Sequence, residues 1–101
     1  STKENLMAAV GGETFEFKNI YPGMISEAGA ENEEMAQISF MNANAVEQVH
    51  ANLYQKYLDN LASLAATDIY VCQVCGNTVE GQAPDVCPVC AAPKSKFKKI
   101  D

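Results

Sequence analysis

Cys72, Cys75, Cys87 and Cys90 stand as C-x2-C-x11-C-x2-C in the last third of a 101-residue chain. Residues 68–101 are too few to bury a self-supporting hydrophobic core, so this segment needs a cross-link of some kind. Two knuckles, each offering two sulfurs, can surround one metal ion tetrahedrally, and thiolates suit iron or zinc. Such an ion supplies the folding free energy that the small core lacks. Two disulfides are the competing arrangement. Paired CxxC knuckles favour metal, and no secretory signal is expected before Ser1. A thioredoxin-type redox CxxC is not expected, because no βαβ pattern surrounds either motif. The donor types leave iron and zinc open.

The composition changes near residue 67. Residues 1–67 carry nine acids, three lysines and no cysteine, whereas residues 68–101 carry four acids, four lysines and three of the four prolines. The whole formal charge of −6 therefore sits in the first piece. That balance argues against nucleic acid or an anionic membrane as partner, since phosphate contacts need Lys and Arg. No apolar run reaches the length of a membrane span, no glycine pattern for nucleotide phosphates is present, and a cytoplasmic location is expected.

Leu6, Val10, Glu13, Phe17, Ile20 and Met24 recur at three- and four-residue steps, which predicts a helix. Ser1 with Glu4 reads as a capping box, Pro22 as a kink and Gly29 as a stop. Asn32 is expected to cap a second helix, whose stripe runs Phe40, Ala43, Glu47, His50, Tyr54, Tyr57 and Leu61. A short connection between two long helices makes an antiparallel hairpin. A linker at about Ser63–Asp68 divides the chain into a helical piece, 1–66, and a Cys-rich piece, 67–101.

Glu13, Glu47 and His50 interrupt otherwise apolar stripes, and buried carboxylates need partners or a cation. Counted from the turn at 1.5 Å per residue, Glu13 and Glu47 both lie roughly 21–23 Å along the hairpin, level with each other. Glu47-Gln48-Val49-His50 is an E-x-x-H pair whose i, i+3 spacing points both side chains the same way. A lone helical histidine is ordinarily a satisfied structural residue, and the level Glu13 is what favours a metal role. Glu31, Glu33 and Glu34 read as a solvated helix start, and Lys94, Lys96, Lys98 and Lys99 as a solvated tail. A hairpin with apolar residues on several faces, among them Val49, Leu53, Tyr54 and Tyr57, cannot stand alone. Two copies would bury these faces as a four-helix bundle. One Glu from each of two helices with E-x-x-H from the other two is the recipe for a carboxylate-bridged di-iron site. A homodimer would bring two Glu13, two Glu47 and two His50, and four carboxylates balance two divalent ions.

Gly12-Glu13-Thr14-Phe15-Glu16 with Ile20-Tyr21-Pro22 resembles the third bundle helix of the rubrerythrin family, and Glu47-Gln48-Val49-His50-Ala51 its fourth. Tyr70-Val71-Cys72 through Cys75-Gly76, then Cys87-Pro88-Val89-Cys90 and Ala92-Pro93-Lys94, is similar to its rubredoxin-like end. The resemblance covers essentially the whole chain. It implies a ferritin-like half bundle followed by a rubredoxin-like domain, with a mononuclear iron on the four cysteines. It also implies a di-iron site shared between two chains, with Glu13, Glu47 and His50 as ligands. Glu16 would be a further, redox-dependent carboxylate, and Tyr21 would hydrogen-bond near it. The implied activity is reduction of hydrogen peroxide to water, in defence against oxidative stress. Electrons would come from an NADH-linked reductase or a rubredoxin through the cysteine-bound iron. The family's bundle has two further helices with their own Glu and E-x-x-H, which either a second copy or another polypeptide would supply. Gln73 and Ala91 replace a common proline and glycine of the knuckles, and Ala91 is expected to alter its turn. Electron transfer without peroxidase activity, a ferritin-like ferroxidase and a zinc-ribbon binding module are the alternatives.

Overall fold

The computed structural model describes residues 1–101. Helix α1 (Thr2–Phe15) starts on the capping box: the Glu4 N–H donates to Ser1 Oγ, and the Ser1 amino group donates back to the Glu4 carboxylate. A π-helical turn, Glu16–Ile20, follows and leads directly into α2 (Tyr21–Ala30). Pro22 lies in the first turn of α2, directly after the π-helical turn. The helix widens in the turn before it, where the Tyr21 N–H reaches back to the Glu16 carbonyl. This absorbs the missing proline donor and the crowding of its ring.

The turn to the second long helix differs from expectation at two residues. Gly29 is not a stop but lies inside α2, where α3 comes close: a Cβ there would meet Gln37 Nε2 at 2.6 Å. The stop is Asn32, which is left-handed at φ 58. The Glu33 N–H bonds to the Ala28 carbonyl and the Asn32 N–H to the Gly29 carbonyl, a Schellman closure with asparagine in glycine's usual place. Asn32 therefore ends α2 rather than capping α3 (Glu34–Asp59), which begins after Glu33 with no side-chain cap.

A short 3-10 turn, Leu61–Ser63, and an extended stretch lead into β1 (Ile69–Cys72). This strand is the centre of an antiparallel sheet ordered β2 (Thr78–Glu80), β1, β3 (Phe97–Ile100). The register pairs Ile69 with Glu80 and Ile100, and Val71 with Thr78. Strand alternation places Ile69, Val71, Thr78, Glu80 and Ile100 on one face. The opposite face carries Cys72 and Phe97, which pack with Cys87 and Ala92.

The molecule measures 48 × 31 × 16 Å, and its thinnest dimension is little more than one helix diameter. The hairpin is a single layer, so only 7 of 101 residues are buried. Met7, Phe15, Met35, Ile38 and Met41 are exposed. No helix is long and apolar enough to cross a membrane.

Candidate metal centres

The four cysteines converge. Cys72 Sγ and Cys90 Sγ are 3.7 Å apart, as are Cys75 Sγ and Cys87 Sγ. All four cysteines are free thiols, and these separations far exceed a disulfide's S–S bond of about 2.05 Å. A tetrahedron with metal–sulfur bonds of about 2.3 Å has sulfur–sulfur edges of about 3.8 Å. The donor set therefore fits a single thiolate-bound ion.

Two matching turns build this set. In the first, the Gly76 N–H bonds to the Cys72 carbonyl and the Cys72 N–H to the Asn77 carbonyl. In the second, the Ala91 N–H bonds to the Cys87 carbonyl and the Cys87 N–H to the Ala92 carbonyl. Both knuckles turn through a left-handed residue, Gly76 at φ 85 and Ala91 at φ 65. The second knuckle thus holds its turn with a Cβ in place, and the missing glycine has not abolished it.

Burial pushes the Cys75 and Cys90 thiols up. Burial also pushes Cys87 up, but the N–H groups of Cys90 and Val89 outweigh it and bring that thiol down to about 7. Four converging sulfurs cannot all ionise without a cation among them, which again fits a metal.

The second cluster joins the two long helices. Donor atoms of Glu13, Glu47 and His50 lie within 4.8 Å of one another. His50 Nδ1 stands 3.6 Å from Glu13 Oε1 and 3.9 Å from Glu47 Oε1, too far for hydrogen bonds. Two ligands bound at about 2.0–2.2 Å to one first-row ion are about 3–4 Å apart. The other ring nitrogen, Nε2, is 2.9 Å from the Gly76 carbonyl oxygen and 3.1 Å from Thr78 Oγ1. A carbonyl only accepts, so Nε2 carries a proton, and Nδ1, facing two carboxylates, is the ring nitrogen that could bind a metal. Glu13 Oε2 is buried without a partner. Donor atoms aimed at one point, with an orphaned carboxylate oxygen beside them, fit a cation. Three donors per chain make half of a two-metal set.

Glu16 is not among the converging donors, and Tyr21 touches it through the main chain, the Tyr21 N–H donating to its carbonyl. Leu53, Tyr54 and Tyr57 line a cleft of about 280 Å³ between α3 and the sheet, together with Ile69, Val71 and Ile100. The sheet supplies its apolar face to the same stripe of α3.

Sequence reasoning missed the residues that tie the two pieces together. Tyr57 Oη donates to Glu80 Oε2 at 2.8 Å, and Lys56 Nζ to Glu80 Oε1 at 2.8 Å. Hydrogen bonds from Lys56 and then Tyr57 hold the Glu80 carboxyl below the usual range. Val46, fully buried, packs against Gly76. The signal available in the sequence was the alternation Thr78–Glu80, which gives β2 one polar face.

Residues 70–98 match the family described as Rubrerythrin, rubredoxin-like domain. Rubrerythrin-2 of Clostridium acetobutylicum is 33% identical over 98 residues, covering 94% of this chain and 53% of that protein. Nigerythrin of Nitratidesulfovibrio vulgaris is 30% identical over 93 residues, covering 92% of this chain and 46% of that protein. The solved structure of fully reduced, all-ferrous nigerythrin superimposes with a TM-score of 0.91 at 29% identity, over 99% of this chain and 50% of that one. The chain spans about half the length of the curated relatives it matches. With its helical hairpin, its four-cysteine knuckles and this similarity along nearly its whole length, the chain belongs to the rubrerythrin family.

Proposed function

We propose that this chain is a rubrerythrin-type peroxide reductase, in which Glu13, Glu47 and His50 hold half of a di-iron site and the four cysteines hold the iron that feeds it electrons. The observation that carries this reading is the bridge made by His50. Its Nδ1 faces the carboxylates, and its Nε2–H bonds to the carbonyl of Gly76, the residue after Cys75. One imidazole thus joins the two donor sets through a single hydrogen bond and a short run of main chain.

Iron in the carboxylate site would supply two electrons to the O–O bond, so that hydrogen peroxide, two electrons and two protons become two waters. The residues of this chain set the conditions. Gly76 and Thr78 fix the His50 ring through Nε2, so that Nδ1 is the nitrogen facing Glu13 and Glu47. The Tyr57–Glu80–Lys56 contacts hold the cysteine domain against α3. Glu16, at the head of the π-helical turn, stands one helical turn from Glu13 and would serve as an additional carboxylate, with Tyr21 beside it.

A second copy of the chain completes the bundle in this reading. The single-layer hairpin leaves its apolar side chains exposed, and two copies supply the four Glu and two His that two irons need. The partners are then a homodimer mate and an electron donor, a reductase using NADH or a rubredoxin, with a cytoplasmic location.

Anaerobic stopped-flow mixing of the fully reduced protein with hydrogen peroxide tests the activity. Oxidation of both kinds of iron within the mixing experiment is expected, with two peroxides consumed per dimer: four electrons, two from the di-iron site and one from each cysteine-bound iron. Slow, substoichiometric oxidation would reject it.

A further inference from the structure

Asn77 is the one buried polar residue of the chain, 2% exposed, and it touches three of the four cysteines. Its carbonyl accepts from the Cys72 N–H at 2.8 Å. Its own N–H donates to Cys75 Sγ at 3.4 Å, and its side-chain amide donates to Cys87 Sγ at 3.8 Å. The two knuckles are otherwise alike, down to the main-chain bond that closes each. In the second knuckle Ala92 takes the place of Asn77, with its carbonyl on Cys87 and its N–H on Cys90. Ala92 has no side-chain donor. The amide of Asn77 is therefore an addition to the shared turn, and it crosses from one knuckle to a sulfur of the other.

We propose that Asn77 sets the reduction potential of the four-cysteine centre upward through this side-chain amide. The inference rests on the reading that the cysteines hold iron. Four thiolates around ferric iron carry a net charge of −1, and one electron from an external donor makes it −2 with no proton taken up. An N–H dipole aimed at a sulfur stabilises the more negative state and so favours reduction. The effect is strong where water cannot reach the sulfur to replace the donor, and Cys87 is buried. Asn77 also lies between Gly76 and Thr78, the two residues that hold His50 Nε2. The residue that tunes one centre therefore sits within the link to the other.

The test is a potentiometric titration of the iron-loaded protein, with Asn77→Leu and Asn77→Ala compared at constant pH and the ferric thiolate absorption confirming coordination in each. Both variants are expected to shift the equilibrium with a one-electron mediator toward the ferric form, on the order of tenfold, which is about 59 mV for a one-electron couple. Asn77→Ala serves where the bulkier leucine prevents folding. A second measurement uses the unsubstituted protein loaded with cadmium-113, where the Asn77 side-chain amide protons should couple to the metal through Cys87. Unchanged potentials in variants with intact ferric thiolate spectra would overturn the role of Asn77 and leave the iron reading standing. A protein that takes up no redox-active iron on its cysteines would overturn both.

Discussion

His50 Nε2 lies 2.9 Å from the carbonyl oxygen of Gly76, a contact between the middle of the long helix and the first knuckle of the cysteine domain. It fixes which ring nitrogen faces Glu13 and Glu47, and it makes the geometry of one donor set depend on the position of the other. Removing the imidazole should separate the two. In His50→Ala, iron per chain is expected to fall from two to one while the ferric thiolate absorption stays. Metal analysis beside the visible spectrum checks this, and loss of both irons together would contradict the assignment.

Glu13 and Glu47 place two carboxylates about one imidazole, and one oxygen of Glu13 is buried without a partner. Without metal this is a cost, since like charges are held together and a polar atom is unsatisfied. Glu13→Gln should therefore raise the melting temperature of the metal-free protein, by the equivalent of about 1 kcal/mol, and abolish iron binding at the carboxylate site. Calorimetry of metal-free and iron-loaded samples gives both quantities.

The Glu80 clamp sets a pH limit on the contact between the pieces. Glu80 is held below its ordinary value by Lys56 first and Tyr57 second. A depressed carboxylate contributes stability above its unfolded value, about 4.3, and loses it as the pH falls through the folded value. The cysteine domain should accordingly loosen from α3 only below about pH 4, visible as a shift of the Tyr57 ring resonances. Glu80→Gln should remove that step, and Tyr57→Phe should weaken the contact by about 1 kcal/mol at neutral pH.

Ala91 holds a left-handed turn at φ 65, where its Cβ is crowded. Ala91→Gly relieves about 1–2 kcal/mol of that crowding and gives back about half to the greater freedom of glycine in the unfolded chain. A modest net gain is expected. It should appear as slower metal loss to a chelator, while Gly76→Ala in the matching knuckle should speed it.

The cysteine spacing and the level placement of Glu13, Glu47 and His50 were legible in the sequence because ligand chemistry and helical rise fix them with few assumptions. The ends of α2 and α3 were not. Asparagine both caps helices and tolerates the left-handed conformation, and at Asn32 the second property decides. The π-helical turn at Glu16–Ile20 was signalled by Pro22, but proline marks only that a donor is missing and not how the chain accommodates it. Tyr54 and Tyr57 were legible as part of an apolar stripe, but the sheet face that shares a cleft with them was not. Periodicity says that a face is apolar, and only the fold says that the sheet lies across a cleft from it.

Between Cys75 and Glu80 every residue but Val79 has a fixed assignment: a ligand sulfur, a carbonyl for His50, an amide for Cys87, a hydroxyl for His50 and a carboxylate for Tyr57. A single inserted residue before Thr78 would turn β2 over and swing Glu80 away from α3. Residues 81–86, which complete the spacer before Cys87, tie back only to their own domain, through Gly81 to Asp68 and Asp85 to Lys94, and make no hydrogen bond to His50, Tyr57 or a cysteine sulfur. Natural variation in the length of that spacer should therefore fall wholly on its second half, so that the distance between the knuckles drifts in evolution while the five residues from Gly76 to Glu80 keep their number.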